Sequence, residues 1–244
     1  MITRRDKDIV RRMIWDKLAS TGVARPPLPP HGRIPNFQGA GDAARRITSL
    51  PEWRRAGLVK VNPDSPQRPV RLAALREGKL LLMPTPRLRS GFLLLDPSTI
   101  PGSLYSRAST IRGAFIYGKL LHRLEDLQGL PKVEFVVEGS VAVNRWGERL
   151  GKGEGYAELE YAILRELNLI GGDVPIATSV HDLQVISERL PQDPYDVPVD
   201  YIATPTRLTR TVDRPPRPPG ILWDLLSKEK LEEIPLLREL AERR

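Results

Sequence analysis

Apolar and polar positions along the chain follow two alternating rhythms. Residues 6–19 set Ile9, Val10, Met13, Ile14 and Leu18 on one helical stripe, with Lys7, Arg11 and Arg12 toward its flank, which predicts an amphipathic first helix. The short runs "LVKV" (58–61), "KLLLMP" (79–84) and "GFLLLD" (91–96) predict strands bounded by glycine and proline. "VEFVVEGSVAVN" (133–144), "PIATSV" (175–180) and "VDYIATP" (199–205) predict strands buried on both faces. Helical spacing returns at 42–56, 66–77 and 156–168, where Leu159, Ile163 and Leu167 form one buried edge. Strands alternating with helices predict an α/β fold, a three-layer α/β/α arrangement with a largely parallel or mixed central sheet. Ligands of such sheets bind outside the carboxyl ends of the strands.

Between these elements lie segments that break both rhythms. "ARPPLPPHGRIPNFQGAG" (24–41) holds too many prolines and glycines for regular structure and reads as an extended excursion over a core or a site. "DRPPRPPG" (213–220) reads as a stiff proline-rich connector. After it, Ile221, Leu222, Leu225 and Leu226, then Ile234, Leu236, Leu237 and Leu240, restore helical periodicity. The expected organisation is one α/β domain over 1–212, the connector, and a helical tail over 221–244 that packs on the same domain. No internal repeat is visible.

Composition narrows the chemistry. The chain has no cysteine, which excludes a disulfide framework and thiol catalysis; His31, His122 and His181 lie far apart and leave little for a zinc site. No run reaches the about 18–20 apolar residues a membrane span requires. The opening "MITRRDKDIVRRMIWDKL" lacks the apolar core of a secretory signal, so a soluble, cytoplasmic protein is expected. A net charge of +8 favours anionic ligands, nucleic acid or acidic partners. An arginine-weighted charge, 24 prolines and few asparagines suit a heat-adapted protein.

The chemistry concentrates in "RLGKGEGYAELEYAILRELNLI" (149–170). Gly151, Gly153 and Gly155 alternate directly before a helix, with Arg149 and Lys152 beside them. Unpaired N–H groups and the helix dipole make such a place favourable to an anion. The loop is not a Walker A sequence, since Lys152 precedes Gly153 and no Ser or Thr follows to hold magnesium; nor is it Gly-x-Gly-x-x-Gly. Spacing alone is served equally by a phosphate cradle and by a tight strand-to-helix turn. Taken alone, Glu158 reads as a solvated acid in the first helical turn, stabilised by the helix dipole. His181-Asp182 reads as an ordinary packed histidine, because neighbours on a strand point to opposite faces.

The wider segment 133–164 resembles the active-site region of the 5-formyltetrahydrofolate cyclo-ligase (methenyltetrahydrofolate synthetase) superfamily. Gly147, Arg149, Leu150, Gly151, Gly153, Gly155 and Tyr156 match its Gly-x-Arg-Leu-Gly-x-Gly-Gly-Gly-Tyr pattern. Lys7 and Arg11 fit its N-terminal Lys-x-x-x-Arg helix, and "LPQDPYDVPVDYIATPTR" falls where its closing Asp-x-x-x-Asp-x-Ile-x-Thr element stands. "VNPDSPQRPVR", "MPTPRLRSGF", "GKGEGYAELEYA", "VHDLQV" and "PPGILW" are similar to its branch of methenyltetrahydrofolate synthetase domain-containing proteins.

The resemblance implies an ATP- and Mg²⁺-dependent closure of 5-formyltetrahydrofolate to 5,10-methenyltetrahydrofolate. It implies that Lys7 and Arg11 meet ATP phosphates, and that Arg149, Gly151, Lys152, Gly153, Glu154, Gly155 and Tyr156 form the nucleotide site. Within that set Arg149, Lys152 and Tyr156 are the expected catalytic residues, and Glu158 with Asp196 or Asp200 the expected magnesium ligands. The chain departs from the pattern at Glu154, where the middle glycine stands, and at Ala157 and Leu159, where a tyrosine and an arginine stand. A carboxylate at Glu154 requires a metal, a basic neighbour or an outward orientation. The changed folate-side residues and the +8 charge motivate an alternative, a noncatalytic nucleotide-binding protein with an RNA or protein partner. Without an aromatic RNP-like signature, nucleic acid is the less favoured partner. A sugar-phosphate or acyl-CoA enzyme is a weaker third reading by analogy of fold.

Overall fold

The computed structural model describes residues 4–244. The strands are β1 (Ala24–Arg25), β2 (Asn36–Phe37), β3 (Leu58–Val61), β4 (Leu80–Pro84), β5 (Phe92–Leu95), β6 (Lys119–Leu121), β7 (Phe135–Glu138), β8 (Ala142–Asn144), β9 (Arg149–Leu150), β10 (Ile176–Ser179), β11 (Val185–Ile186), β12 (Tyr201–Ala203) and β13 (Leu208–Arg210). The helices are α1 (Arg4–Ser20), α2 (Ala40–Thr48), α3 (Pro51–Arg55), α4 (Arg68–Arg76), α5 (Tyr105–Ala108), α6 (Ile111–Tyr117), α7 (Leu124–Gln128), α8 (Tyr156–Glu166), α9 (Lys228–Glu233) and α10 (Pro235–Glu242).

An eight-stranded sheet in the order β13-β12-β10-β7-β3-β4-β5-β6 forms the middle layer. Its centre, from β12 to β4, is parallel, and β13, β5 and β6 close the edges antiparallel. Successive residues of a strand face opposite layers, so "LVKV" contributes Leu58 to one core and Val59 and Val61 to the other. Helices α7, α8 and α10 cover the first face, and α2 to α6 cover the second. The α/β/α expectation therefore holds, with a mixed sheet. Each fully buried Leu or Val side chain contributes about 1.5–3 kcal/mol to that layering.

Several boundaries differ from the pattern, each for a local reason. Pro51 starts a new helix, so 42–56 divides into α2 and α3. The run 133–144 divides at Gly139 and Ser140: β7 stays in the main sheet, while β8 joins β9 and β11 in a small sheet beneath α1. There Ile14 and Leu18 pack against Val141, Ala142 and Leu150.

The buried face of α1 is not the predicted one. Ile9 and Met13 are exposed, whereas Lys7 and Arg11 are buried on the same face as Ile14 and Leu18. Partners elsewhere in the chain decide this, as the site geometry shows. The connector over 213–220 is no free spacer, because Arg217 is nearly enclosed and donates to the carbonyls of Val174 (2.7 Å) and Pro198 (3.1 Å) and to Asp200 (2.5 Å). Beyond it, Ile234, Leu236 and Leu237 are completely buried in the face that α8 covers.

Candidate functional site

Because β3, β4, β7, β10 and β12 run parallel, their carboxyl ends share one edge of the sheet. A cleft of about 880 Å³ opens there, among Asn62 and Asp64 after β3, Thr85 and Arg87 after β4, Gly139 after β7, and the loop 151–155. The loop enters α8 through Gly155, whose φ of 75° is left-handed. Gly155 has no side chain with which to cap α8, so the first-turn N–H groups keep their affinity for an external anion. Gly153 has φ 101°, and a Cβ there would lie 3.2 Å from Arg11 Cζ, so this position admits only glycine without displacing a cleft cation.

Cations converge on the loop. Arg11 donates from Nε to the Gly151 carbonyl (2.8 Å) and from Nη1 to Asp8 (2.6 Å). Lys7 Nζ reaches Asp193 (2.7 Å) and Asp196 (2.5 Å), which explains why an ammonium is tolerated on the inner face of α1. Lys152 lies 2.8 Å from Glu154, whose other oxygen accepts from Arg87 at 3.2 Å. Burial would raise the Glu154 pKa, but Lys152 and Arg87 outweigh it and hold the carboxyl below its ordinary range. Of the three ways to tolerate a carboxylate here, the chain uses basic neighbours.

Arg149 lies at the cleft but is committed to the protein. Its side chain is 1% exposed and donates to Val197 O (3.0 Å), Gly139 O (3.1 Å) and Glu158 Oε1 (2.7 Å). It ties β9 to the turn after β7 and to the first turn of α8. Tyr156 is almost buried; its hydroxyl donates to Glu233 (2.6 Å), and burial with that carboxylate pushes its pKa to about 12.

The proposed metal ligands do not all meet. Glu158 and Asp196 line the cleft, whereas Asp200 sits at the opposite, amino edge of the sheet. There Asp200 accepts from the Ile176 N–H (2.8 Å) and pairs with Arg214 (2.9 Å) and Arg217. Being the residue before β12, it is separated from Glu158 by the length of the strands, so the two cannot share an ion. Among the described residues no group of three His, Asp or Glu could surround a cation. His181 caps the turn after β10, its Nδ1 accepting from the Leu183 N–H at 3.2 Å, in keeping with a packed histidine.

The floor of the cleft holds a charged cluster that pattern reading passed over. Lys60, inside β3, is 2.9 Å from Glu138, 2.6 Å from Glu160 and 2.7 Å from Asn62 Oδ1, and all three charged groups are buried. One ammonium thus faces two carboxylates. Burial, reinforced by Glu138 and opposed by Lys60, pushes the Glu160 pKa to about 7. The clue in the sequence is a lysine in the middle of an otherwise apolar strand. Nearby, buried Arg71 holds the Asn62-to-Asp64 turn by donating to the carbonyls of Asn62 and Asp64, and burial lowers its pKa to about 9.

A pH dependence follows from Glu160. In the unfolded chain this acid ionises near 4.5, while in the fold it keeps its proton to about 7. Across that window the folded state binds more protons, so the contribution is complete below the unfolded pKa and declines as pH rises through the folded one. Glu160→Gln cannot ionise, and its unfolding free energy is expected to fall less than the parent's between about pH 5 and about pH 8. Urea titrations at both pH values test this, and an identical decline in both proteins would refute it.

Fold and site together define an α/β protein with a basic, glycine-looped cleft at the carboxyl edge of its sheet. The chain belongs to the 5-formyltetrahydrofolate cyclo-ligase family, whose model matches residues 5–205. It is 42% identical over 241 residues to a methenyltetrahydrofolate synthase domain-containing protein of Mus musculus, covering 97% of this chain and 63% of that protein. To the Homo sapiens protein of the same description it is 41% identical over 241 residues, covering 97% and 62%. The chain thus spans a little over three-fifths of the length of these relatives. The solved 5,10-methenyltetrahydrofolate synthetase of Aquifex aeolicus shares the fold, with a TM-score of 0.51, 22% identity, and coverage of 86% of this chain and 94% of that one. No described helix is long and apolar enough to cross a membrane.

Proposed function

We propose that the chain closes 5-formyltetrahydrofolate to 5,10-methenyltetrahydrofolate at the expense of ATP. The observation that carries this reading is the loop 151–155, opening α8 toward the cleft with Lys7, Arg11 and Lys152 gathered on it. Family membership supplies the reaction class. A formyl oxygen is a poor leaving group. Transfer of a phosphoryl group to it makes departure as phosphate feasible; N10 then bonds to the activated carbon and releases its proton as the ring closes. In this reading Lys152, Arg11 and the first N–H groups of α8 neutralise the phosphates, and positioning does most of the rest. Arg149 acts by holding the loop.

Magnesium fits on a narrow basis. An ion carried by nucleotide phosphates needs only one or two protein carboxylates, and Glu158, with Oε1 taken by Arg149, keeps Oε2 for it. Its contribution would be to offset phosphate charge. The alternative of a noncatalytic nucleotide-binding protein with an RNA or protein partner rests on the changed folate-side residues and the +8 charge, and family membership does not favour it.

Calorimetry with ATP–Mg²⁺, then with 5-formyltetrahydrofolate, tests the proposal. Binding of both ligands and formation of the methenyl product are expected. Lys152→Ala should weaken ATP binding about tenfold, the worth of one charge-assisted contact. Folded protein that neither binds ATP–Mg²⁺ nor forms product would overturn the reading.

A further inference from the structure

The family match ends at residue 205, yet one wall of the cleft comes from beyond it. Ile221, Leu225, Leu226 and Lys230 line the cleft opposite residues of the phosphate loop and the start of α8. This wall is held firmly at both ends. Before it, the Ile221 N–H donates to Glu166 at 2.9 Å and Arg217 is fastened to the domain; after it, Ile234, Leu236 and Leu237 are in the core. Leu225 is nevertheless 56% exposed, an apolar side chain kept facing the cleft between two anchored points.

Lys230 is the polar element of the wall. Its Nζ stands 3.2 Å from the centroid of the Tyr156 ring, at a distance where cation and ring attract. Its ion-pair partner, Glu233, is 3.7 Å away and is already engaged by the Tyr156 hydroxyl at 2.6 Å and by Arg89 at 3.3 Å. Arg87, the neighbouring cation, is committed to Glu154. Lys230 is therefore the cation of this wall with the loosest pairing. It stands beside the tyrosine that begins α8, where the aromatic and basic residues of the family pattern have become Ala157 and Leu159.

We propose that the segment 221–230 is the recognition wall for the non-nucleotide substrate, with Leu225 giving apolar contact and Lys230 binding a carboxylate. The wall compensates for the changed residues on α8, and it accounts for a tail being built into the cleft rather than onto the outside of the fold. The inference rests on the proposed function for the identity of the ligand. Its chemistry is that of a flat, partly apolar molecule carrying an anionic arm, which 5-formyltetrahydrofolate is.

The test uses the full chain with Lys230→Met and, separately, Leu225→Ala, neither of which touches the buried anchors. Binding of ATP–Mg²⁺, 5-formyltetrahydrofolate and 5-formyltetrahydropterin, which lacks the carboxylate arm, is measured for each. For Lys230→Met the folate Kd is expected to rise about tenfold or more, the worth of a hydrogen bond to a charged group, with ATP affinity and pterin affinity unchanged. Leu225→Ala should weaken both pterin ligands and leave ATP alone. In turnover, KM should rise with little change in kcat, as for lost ground-state binding. Equal weakening of ATP would assign Lys230 to the phosphate site and overturn the inference, as would unchanged folate affinity in both variants. If the parent protein binds ATP but no folate, the functional reading itself fails, a result distinct from unaffected variants.

Discussion

Lys60→Met is expected to lower the unfolding free energy by about 3–5 kcal/mol, the cost of removing one partner from a buried ionic cluster. The lysine has two carboxylates and an amide oxygen within 2.9 Å. Without it, Glu138 and Glu160 face each other in a dry interior, where Glu138 Oε2 already has no hydrogen-bond partner. Methionine nearly fills the volume, so the loss reports charge rather than a cavity. Guanidinium denaturation measures the loss. Combining it with Glu138→Gln and Glu160→Gln should recover most of the stability, since the stranded charges are then gone. A single-variant loss below about 1 kcal/mol would show that water or protonation relieves the pair, and the cluster would not be a structural unit.

Arg149→Met is the second large effect. Three directional contacts vanish together, leaving Glu158 and the carbonyls of Gly139 and Val197 without their donor. A loss of about 3–5 kcal/mol is expected, together with loss of ATP–Mg²⁺ binding because the loop loses its strut. Arg149→Lys separates charge from geometry. It keeps the positive charge but cannot reach three acceptors at divergent angles, so it should recover only a minor part of either quantity. Denaturation and calorimetry on the same preparations decide the matter. Full ATP affinity in the lysine variant would mean that charge alone is used, as the family resemblance implies for a phosphate ligand.

The two cases show where pattern reading stops. Strands at 58–61, 79–84 and 175–180 were legible because short, mainly apolar runs near glycine or proline have few other solutions. The helix from Tyr156 and the glycine loop before it were legible for a similar reason, since φ above zero and close approach both call for glycine. The inner face of α1 was not. A helical stripe scored by hydropathy selects Ile9 and Met13, but Lys7 and Arg11 turn inward because Asp193, Asp196 and the Gly151 carbonyl await them from about 140 or more residues away. Asp196 and Asp200 are close in the chain and look interchangeable as metal ligands, yet residues 197–199 carry the chain from the cleft back to the amino edge of the sheet, where Asp200 stands directly before β12.

By itself, then, the order of residues determined the layer architecture, the position of the glycine loop and the kinship, all of which depend on periodicity, glycine stereochemistry and local motif. Tertiary structure decided which charges are spent on the protein and which are left for a ligand. Arg149 is spent, Lys60 is sealed with two acids, and Lys230 is brought to Tyr156 from a tail with no motif to announce it. Local rules act over a few residues, whereas the state of a charge depends on what the fold brings within about 4 Å of it, where desolvation and pairing set its energy.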